Sequence, residues 1–287
     1  MSAWCFVGPD HVAQLSSFYR TAFVTGASTG LGRAFVEMLL EDGVRVWGTA
    51  RDASRLAPLI ADKNFTAVVL DLENADAAVA TFIAAATSAG GFDLVVNNAG
   101  YGVFAPFVST DFSVWQKQLD AMLSTTARLA HAALRDMRAK NRGCLVNVSS
   151  LATDFPLAFM SGYNIAKAGL SALSESLIFE MRGTGVAVID FRPGDFRTGF
   201  NRAMQSTPPL SESDARLAPV WQALDKNLNA APPPTHAAAG LRTALLRQRS
   251  GTVRCGSFFQ AQLAPFLIRF APLGLRRAII ARYFGSR

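Results

Sequence analysis

Thr21-Ala-Phe-Val-Thr-Gly26-Ala-Ser-Thr-Gly30-Leu-Gly32 is the stretch that decides the fold. Residues 21–25 are apolar or β-branched and read as a buried strand. Ala34, Phe35, Met38 and Leu39 then recur at helical spacing until Gly43. Three glycines therefore stand where a strand turns into a helix. Glycine lets backbone approach a pyrophosphate or similar anion, and the helix behind it offers unpaired N–H groups and a positive dipole end. The spacing Gly-x3-Gly-x-Gly differs from the common Gly-x-Gly-x-x-Gly, so a tight strand–helix connection without a ligand is the competing reading.

Working outward, further apolar runs at 44–50, 65–70, 93–97, 144–148 and 186–191 read as strands. Helical patterns cover 75–89, 111–139 and 161–181. Strands alternating with helices of this length demand a parallel sheet covered on both faces. The expected fold is a single doubly wound, Rossmann-type α/β domain with a C-terminal helical extension. Its expected parts are a lead at 1–20, the main domain at 21–254 and a basic, amphipathic tail at 255–287. The proline run 230–234 reads as a loop, and the polar, proline-rich stretch 201–230 as a lid that orders over a bound ligand.

The chain of 287 residues is 50% hydrophobic and 17% charged, which excludes global disorder. Cys5, Cys144 and Cys255 are scattered without Cys-x-x-Cys spacing, and His11, His131 and His236 are isolated. The expectation is a reducing compartment, no disulfide framework and no metal. The start lacks a basic secretory n-region, and no run of 18 or more apolar residues occurs, so a cytoplasmic location is expected. The net charge of +7 is uneven. Nine of the 28 basic residues are arginines within 241–287, where there is no Asp or Glu, leaving 19 basic against 21 acidic residues elsewhere.

Ser149-Ser150 follow the strand at 144–148, and Tyr163 and Lys167 stand four apart at the start of the next helix, hence on one face. A phenol with a reference pKa near ~10 is about 0.1% ionised at pH 7. A neighbouring ammonium is expected to depress that pKa. A hydroxyl such as Ser150 can hold a substrate oxygen where the phenol proton reaches it. The second strand ends at Ala50-Arg51, where an acid for a ribose diol often stands, and an arginine there suits a 2′-phosphate, favouring NADP(H).

Together these motifs resemble the short-chain dehydrogenase/reductases, over about residues 20–200 and in that family's order. The resemblance implies a cofactor turn of Gly26, Ser28, Thr29, Gly30, Leu31 and Gly32, with Arg51 at the ribose. Asp71-Leu72 looks like the adenine contact, and Asn97-Asn98-Ala99-Gly100 like the cofactor-lining segment. Pro193-Gly194 through Phe196 and Thr198 looks like the nicotinamide side. It further implies Tyr163 as acid/base, Ser150 as the group polarising the substrate oxygen, and Lys167 as the ribose ligand. One departure is Met122, where the family often carries an asparagine supporting a water-linked proton path to the lysine. Another is Thr153, where a glycine is common; it is expected to reshape the pocket rim.

Tyr101, Phe104, Phe155, Phe159, Met160, Phe196 and Phe200 occupy the loops expected to form the substrate pocket and predict an apolar substrate, such as a steroid-, retinoid- or other lipid-like molecule. The tail alternates Arg276, Arg277 and Arg282 with Leu275, Ile279, Ile280 and Phe284. This suits either a peripheral membrane contact or packing on protein with arginines reaching solvent. The family commonly pairs through the helices near 111–139 and 161–183, which implies a homo-oligomer; no nucleic-acid module is recognisable. The expected activity is an NADP(H)-dependent carbonyl reductase or alcohol dehydrogenase. The alternatives are a catalytically weak cofactor-binding sensor or scaffold, and a 3-oxoacyl thioester reductase.

Overall fold

The computed structural model describes residues 13–200, 204–206, 215–264, 266 and 271–283. Seven strands form one parallel sheet: β1 (Thr21–Val24), β2 (Arg45–Ala50), β3 (Phe65–Val69), β4 (Leu94–Asn97), β5 (Gly143–Val148), β6 (Val186–Pro193) and β7 (Gly251–Cys255). Their order is β3-β2-β1-β4-β5-β6-β7. The chain therefore reverses direction of travel between β1 and β4, and a crevice opens beyond the strand C-termini at that point.

The helices are α1 (Gly30–Glu41), α2 (Ala75–Ala89), α3 (Phe112–Leu119 continuing through Asp120–Thr125 to Thr126–Ala139), α4 (Ser161–Glu180), α5 (Leu217–Asn229), α6 (Pro234–Leu246) and α7 (Leu273–Tyr283). The middle of α3 is a π-helical turn. Side chains alternate across each strand, so the two faces carry separate cores. Ala22, Val24, Leu94 and Val96 pack with Phe35 and Leu39 of α1 and Leu241 and Leu245 of α6. Phe23, Val95 and Leu145 pack with Phe82 of α2 and Leu129 and Met137 of α3. Phe23 meets Phe82 edge-on at 5.0 Å, and each such buried ring contributes roughly 1.5–3 kcal/mol. Because both faces are covered, β1 is buried along its whole length and reads as a continuous apolar run.

Three features differ from the sequence expectation. Strand β7 extends the sheet, although its Thr-Val-Arg alternation lacks an apolar run. Pro234 opens α6 at a position where its missing N–H costs nothing, so the proline run ends as a helix start. The region expected to be a lid contains α5, whose Leu217, Val220 and Leu224 are buried against Phe104, Met160 and Met204. Residues 201–203 and 207–214 of that stretch lie outside the described residues.

The lead is docked where it is described: Leu15 is buried in the first core, and the Tyr19 hydroxyl donates to the Leu245 carbonyl at 3.1 Å. Its earlier residues, with Cys5 and His11, lie outside the described residues. In α7, Leu273, Leu275 and Ile279 are exposed, and apolar and basic residues spread around the helix without one strong stripe. The expected amphipathic character is therefore absent from α7; Phe284 lies outside the described residues, as does the side chain of Ile280. No helix among the described residues is long and apolar enough to cross a membrane.

Candidate active site

The glycine turn is shaped by what a side chain would strike. Gly26 and Gly30 have φ of +71° and +59°, in the left-handed region. A Cβ on Gly26 would lie 2.9 Å from Ala99 Cα, and one on Gly32 would lie 2.1 Å from the Gly26 carbonyl oxygen. Gly32 therefore serves close packing of α1 under the turn. The Thr25 hydroxyl oxygen accepts from the N–H groups of Asn98 (2.9 Å) and Ala99 (3.0 Å), and the Asn98 amide donates to the Thr25 carbonyl (2.9 Å). These bonds staple the turn to the end of β4. Thr29 begins α1 without a side-chain capping bond, leaving the first N–H groups of the helix for another acceptor.

The end of β5 and the start of α4 bring the reacting side chains together. Ser150 Oγ accepts from the Ala152 N–H at 3.0 Å, and the Ser150 hydroxyl stands close enough to the Tyr163 phenol to lower its pKa. Lys167 is buried; its Nζ donates to the Val148 carbonyl at 2.6 Å and lies 5.8 Å from the Tyr163 ring centroid. Burial pulls the Lys167 pKa down to about 8, and the Asp190 carboxylate opposes that shift. For Tyr163, burial raises the pKa, the Ser150 hydroxyl lowers it, and the Asp195 carboxylate raises it again. The expected depression of the phenol by Lys167 is thus not found: burial prevails, and the ammonium is engaged with the Val148 carbonyl.

Below these groups lies a polar cluster that the sequence reading missed. Asp190 on β6 is fully buried and accepts from Ser149 Oγ, from Ser171 Oγ at 2.7 Å and from Arg192 Nε at 2.7 Å. Arg192 also reaches Ser171 (2.8 Å), Asp154 (3.4 Å) and Glu175 (3.5 Å). A buried carboxylate persists only when paired in this way. The signal was visible as an acid inside the apolar run Val186-Ala-Val-Ile-Asp190-Phe. A second tie runs from Asn97 Nδ2 to Asn147 Oδ1 and from Asn147 Nδ2 to Ser174 Oγ, both at 2.9 Å.

Met122 packs beside Gly100: a Cβ built there would lie 2.9 Å from Met122 Cε and 3.8 Å from Lys167 Nζ. Met122 Sδ accepts from the Tyr101 N–H at 3.5 Å. Thr153 does not line the cavity; its hydroxyl donates to the Ser150 carbonyl at 2.8 Å and braces the serine turn instead.

A cavity of about 590 Å³ joins the glycine turn to Tyr163. Gly26, Ser28, Thr29, Gly30, Leu31, Asn98, Ala99 and Gly100 line it, as do Ser150, Phe155, Met160, Tyr163, Lys167, Pro193, Gly194, Phe196, Thr198 and Phe200. Tyr101, Phe104 and Phe159, expected in the pocket, do not. Phe104 is core, ringed by Phe159 at 5.8 Å and Trp221 at 5.2 Å. Tyr101 packs with Val103, Ala105 and Trp115, and its phenol feels Glu73, Arg51 and Asp71. Proximity in sequence to the site did not tell which way these rings point. Arg51, Asp71 and Leu72 also lie outside the cavity lining. The Arg51 guanidinium is 4.0 Å from Glu73, Asp71 accepts from the Glu73 N–H, and the Leu72 carbonyl accepts from Thr125.

Residues beyond Cys255 complete the lining: Phe259, Gln260, Ala264, Ile279 and Arg282, together with Leu224 and Leu228 of α5. Gln260 Nε2 donates to Asp195 Oδ2 at 2.7 Å, seating the tail on the Pro193-Gly194-Asp195 turn. The described tail therefore forms part of the site. Among the described residues no group of three or more His, Cys, Asp or Glu side chains could hold a metal ion.

A glycine cradle that a Cβ would fill, at the reversal point of a parallel sheet and continuous with a Ser/Tyr/Lys group, defines a dinucleotide-dependent oxidoreductase. The short chain dehydrogenase family model matches residues 20–209. An uncharacterized oxidoreductase of Myxococcus xanthus (strain DK1622) is 40% identical over 181 residues, 61% of this chain and 72% of that protein. The 3-oxoacyl-[acyl-carrier-protein] reductase FabG of Vibrio cholerae is 33% identical over 202 residues, 68% of this chain and 82% of that protein. A short-chain dehydrogenase from Streptomyces avermitilis superposes with a TM-score of 0.76 at 28% identity, covering 92% of this chain and 95% of that one. Other solved structures of this fold hold NAD or NADP. The chain belongs to the short-chain dehydrogenase family.

Proposed function

We propose that this protein is an NADP(H)-dependent oxidoreductase that interconverts a carbonyl and an alcohol on a lipophilic substrate. The observation that carries this reading is the meeting of Ser150, Tyr163 and Lys167 on the wall of a largely apolar cavity that also contains the glycine turn. The turn Gly26–Gly32 and the uncapped start of α1 would hold the dinucleotide phosphates. When bound, the reduced dinucleotide supplies a hydride. Ser150 holds the substrate oxygen, and Tyr163 donates the proton to it. Burial keeps the phenol protonated at neutral pH, which is the form that reduction requires. Arg51 directly follows β2 beside the turn, where the Ala27 N–H is held by the Thr49 carbonyl, and supports the NADP(H) preference.

The reading is tested by following NADPH absorbance with a panel of medium-chain ketones and aldehydes. Turnover with these and not with short polar ketones is the expected result; no turnover across the panel, with NADPH bound, would favour a cofactor-binding sensor. The likeness to the Vibrio cholerae reductase favours a second substrate, a 3-oxoacyl thioester, for which acetoacetyl-CoA belongs in the same panel.

Pairing through α3 and α4 is supported by the exposed rings and chains of Phe112, Ile165 and Phe179 on those helices. Light scattering would give a dimer mass. Peripheral membrane contact is supported by exposed Phe258, Phe259, Phe266 and Leu273 in an arginine-rich tail. Flotation with anionic vesicles would separate this from a wholly cytoplasmic protein.

A further inference from the structure

The cavity lining contains two cations, Lys167 and Arg282. Lys167 is buried and its ammonium donates to the Val148 carbonyl. Arg282 is exposed, lies one helical turn beyond Ile279, and both side chains border the cavity. Among the described residues no carboxylate pairs with Arg282, and the segment 241–287 contains no Asp or Glu to supply one. The acid in the lining, Asp195, is held by Gln260. Among the described residues a guanidinium thus stands without a carboxylate partner at the rim of a largely apolar chamber whose inner wall carries Tyr163.

From this juxtaposition we infer that Arg282 is a specificity-determining residue that binds an anionic group at the end of the substrate remote from its carbonyl. The substrate class is then an amphiphile: an apolar body in the chamber and a carboxylate or phosphate at the mouth. The chemistry suits the position. A guanidinium presents a planar fork that matches carboxylate and phosphate oxygens, and it is less strongly hydrated than an ammonium. At the rim the anion keeps part of its water, so no buried charge has to be compensated. Phe155, Phe196, Phe200, Leu224 and Phe259 then shed water against the body of the ligand. This inference rests on the proposed oxidoreductase reading for the identity of the ligand as substrate, but the binding site itself does not depend on turnover.

The test uses the full-length protein saturated with NADPH and measures binding of octanoate, octyl phosphate and methyl octanoate by calorimetry. Wild type is expected to bind octanoate about tenfold more tightly than the neutral ester, the scale of one charge-assisted hydrogen-bonded contact. Arg282→Ala should bring acid and ester to within about twofold, while leaving ester binding and NADPH affinity unchanged. Octyl phosphate distinguishes the two anions: a larger Arg282-dependent gain than octanoate marks a phosphate ligand, a smaller one a carboxylate. Arg277→Ala is the control. Arg277 lies about 140° round α7 from Arg282 and does not line the cavity, so its loss should leave the preference intact.

Equal binding of acid and ester by wild type would overturn the inference, as would a preference that survives in Arg282→Ala or is lost equally in Arg277→Ala. A fall in NADPH affinity with unchanged octanoate binding would assign Arg282 to the dinucleotide and also overturn it. Octanoate preference without any carbonyl turnover would sink the proposed function and leave this site standing; turnover without the preference would do the reverse.

Discussion

The two walls of the cavity are built on different terms. The inner wall comes from β1, β4, β5 and α4, and its shape is enforced by backbone: glycines at positive φ, a Cβ clash at Gly32, and the Thr25–Asn98 staple. The outer wall comes from α5 and the segments after Cys255, and it offers mainly side chains, many of them exposed, with Gln260–Asp195 as its anchor to the inner wall. The match to the short chain dehydrogenase model ends at residue 209, so α5 and the tail lie outside it. The difference teaches how the molecule divides its work. Chemistry shared across a family needs fixed backbone and buried polar networks, whereas substrate choice can be set by side chains on a surface that tolerates change.

Substitutions on the inner wall should therefore disturb stability and chemistry together, and those on the outer wall only substrate binding. The largest effect is expected at Asp190. Asp190→Asn leaves Arg192 with less compensation in a buried cluster and should cost about 3 kcal/mol of stability, read from denaturant unfolding. It also removes the charge that holds Lys167 protonated. Lys167 has a pKa lowered to about 8, so activity that needs its ammonium falls as pH rises through that value, and the variant's alkaline limb should begin at lower pH. An unchanged limb would show that Asp190 acts on the fold alone. The sign for stability is opposite. Because the folded pKa lies below the ordinary lysine value of 10.5, the unfolded chain binds more protons between about 8 and that value, and the Lys167 contribution to stability rises with pH there.

Gly32→Ala comes next. Its Cβ would meet the Gly26 carbonyl at 2.1 Å, so α1 must shift, at about 2 kcal/mol, and dinucleotide affinity should fall about thirtyfold by fluorescence titration. Arg51→Ala should weaken NADPH by about tenfold and NADH much less; equal weakening would remove the basis for the NADP(H) preference. On the outer wall, Leu224→Ala should raise KM for a lipophilic substrate about threefold while leaving KM for the dinucleotide unchanged. A matching loss in both would erase the division between the walls.

The inner wall was also the legible one. Strands β1, β2 and β4–β6 announce themselves as apolar runs because both faces of the parallel sheet are buried there. The edge strand β3 shows such a run although most of it is exposed, and the glycines mark the one turn that needs them. Strand β7 escaped because its alternating Thr252-Val253-Arg254 lacks such a run. Tyr101 and Phe104 were placed in the pocket from their nearness to Gly100 in sequence, but side-chain direction is set by packing against Trp115 and Trp221, which lie far along the chain. Asp190 stands out in the sequence as an acid inside an apolar run, but its role was not legible there, because its partners Ser149, Ser171 and Arg192 are brought together only by the fold. In the tail, the arginines were read as a field along a helix, whereas Arg282 in particular borders the cavity because of where α7 lies.

The proton-donating role of Tyr163 is the claim on which the rest turns. Its most direct measurement is the single-turnover rate of NADPH oxidation in Tyr163→Phe, with dinucleotide affinity determined on the same sample. A loss of about a thousandfold in rate with affinity unchanged is expected, since only the phenol oxygen is removed. A variant that still oxidises NADPH at a rate close to that of the parent would contradict it.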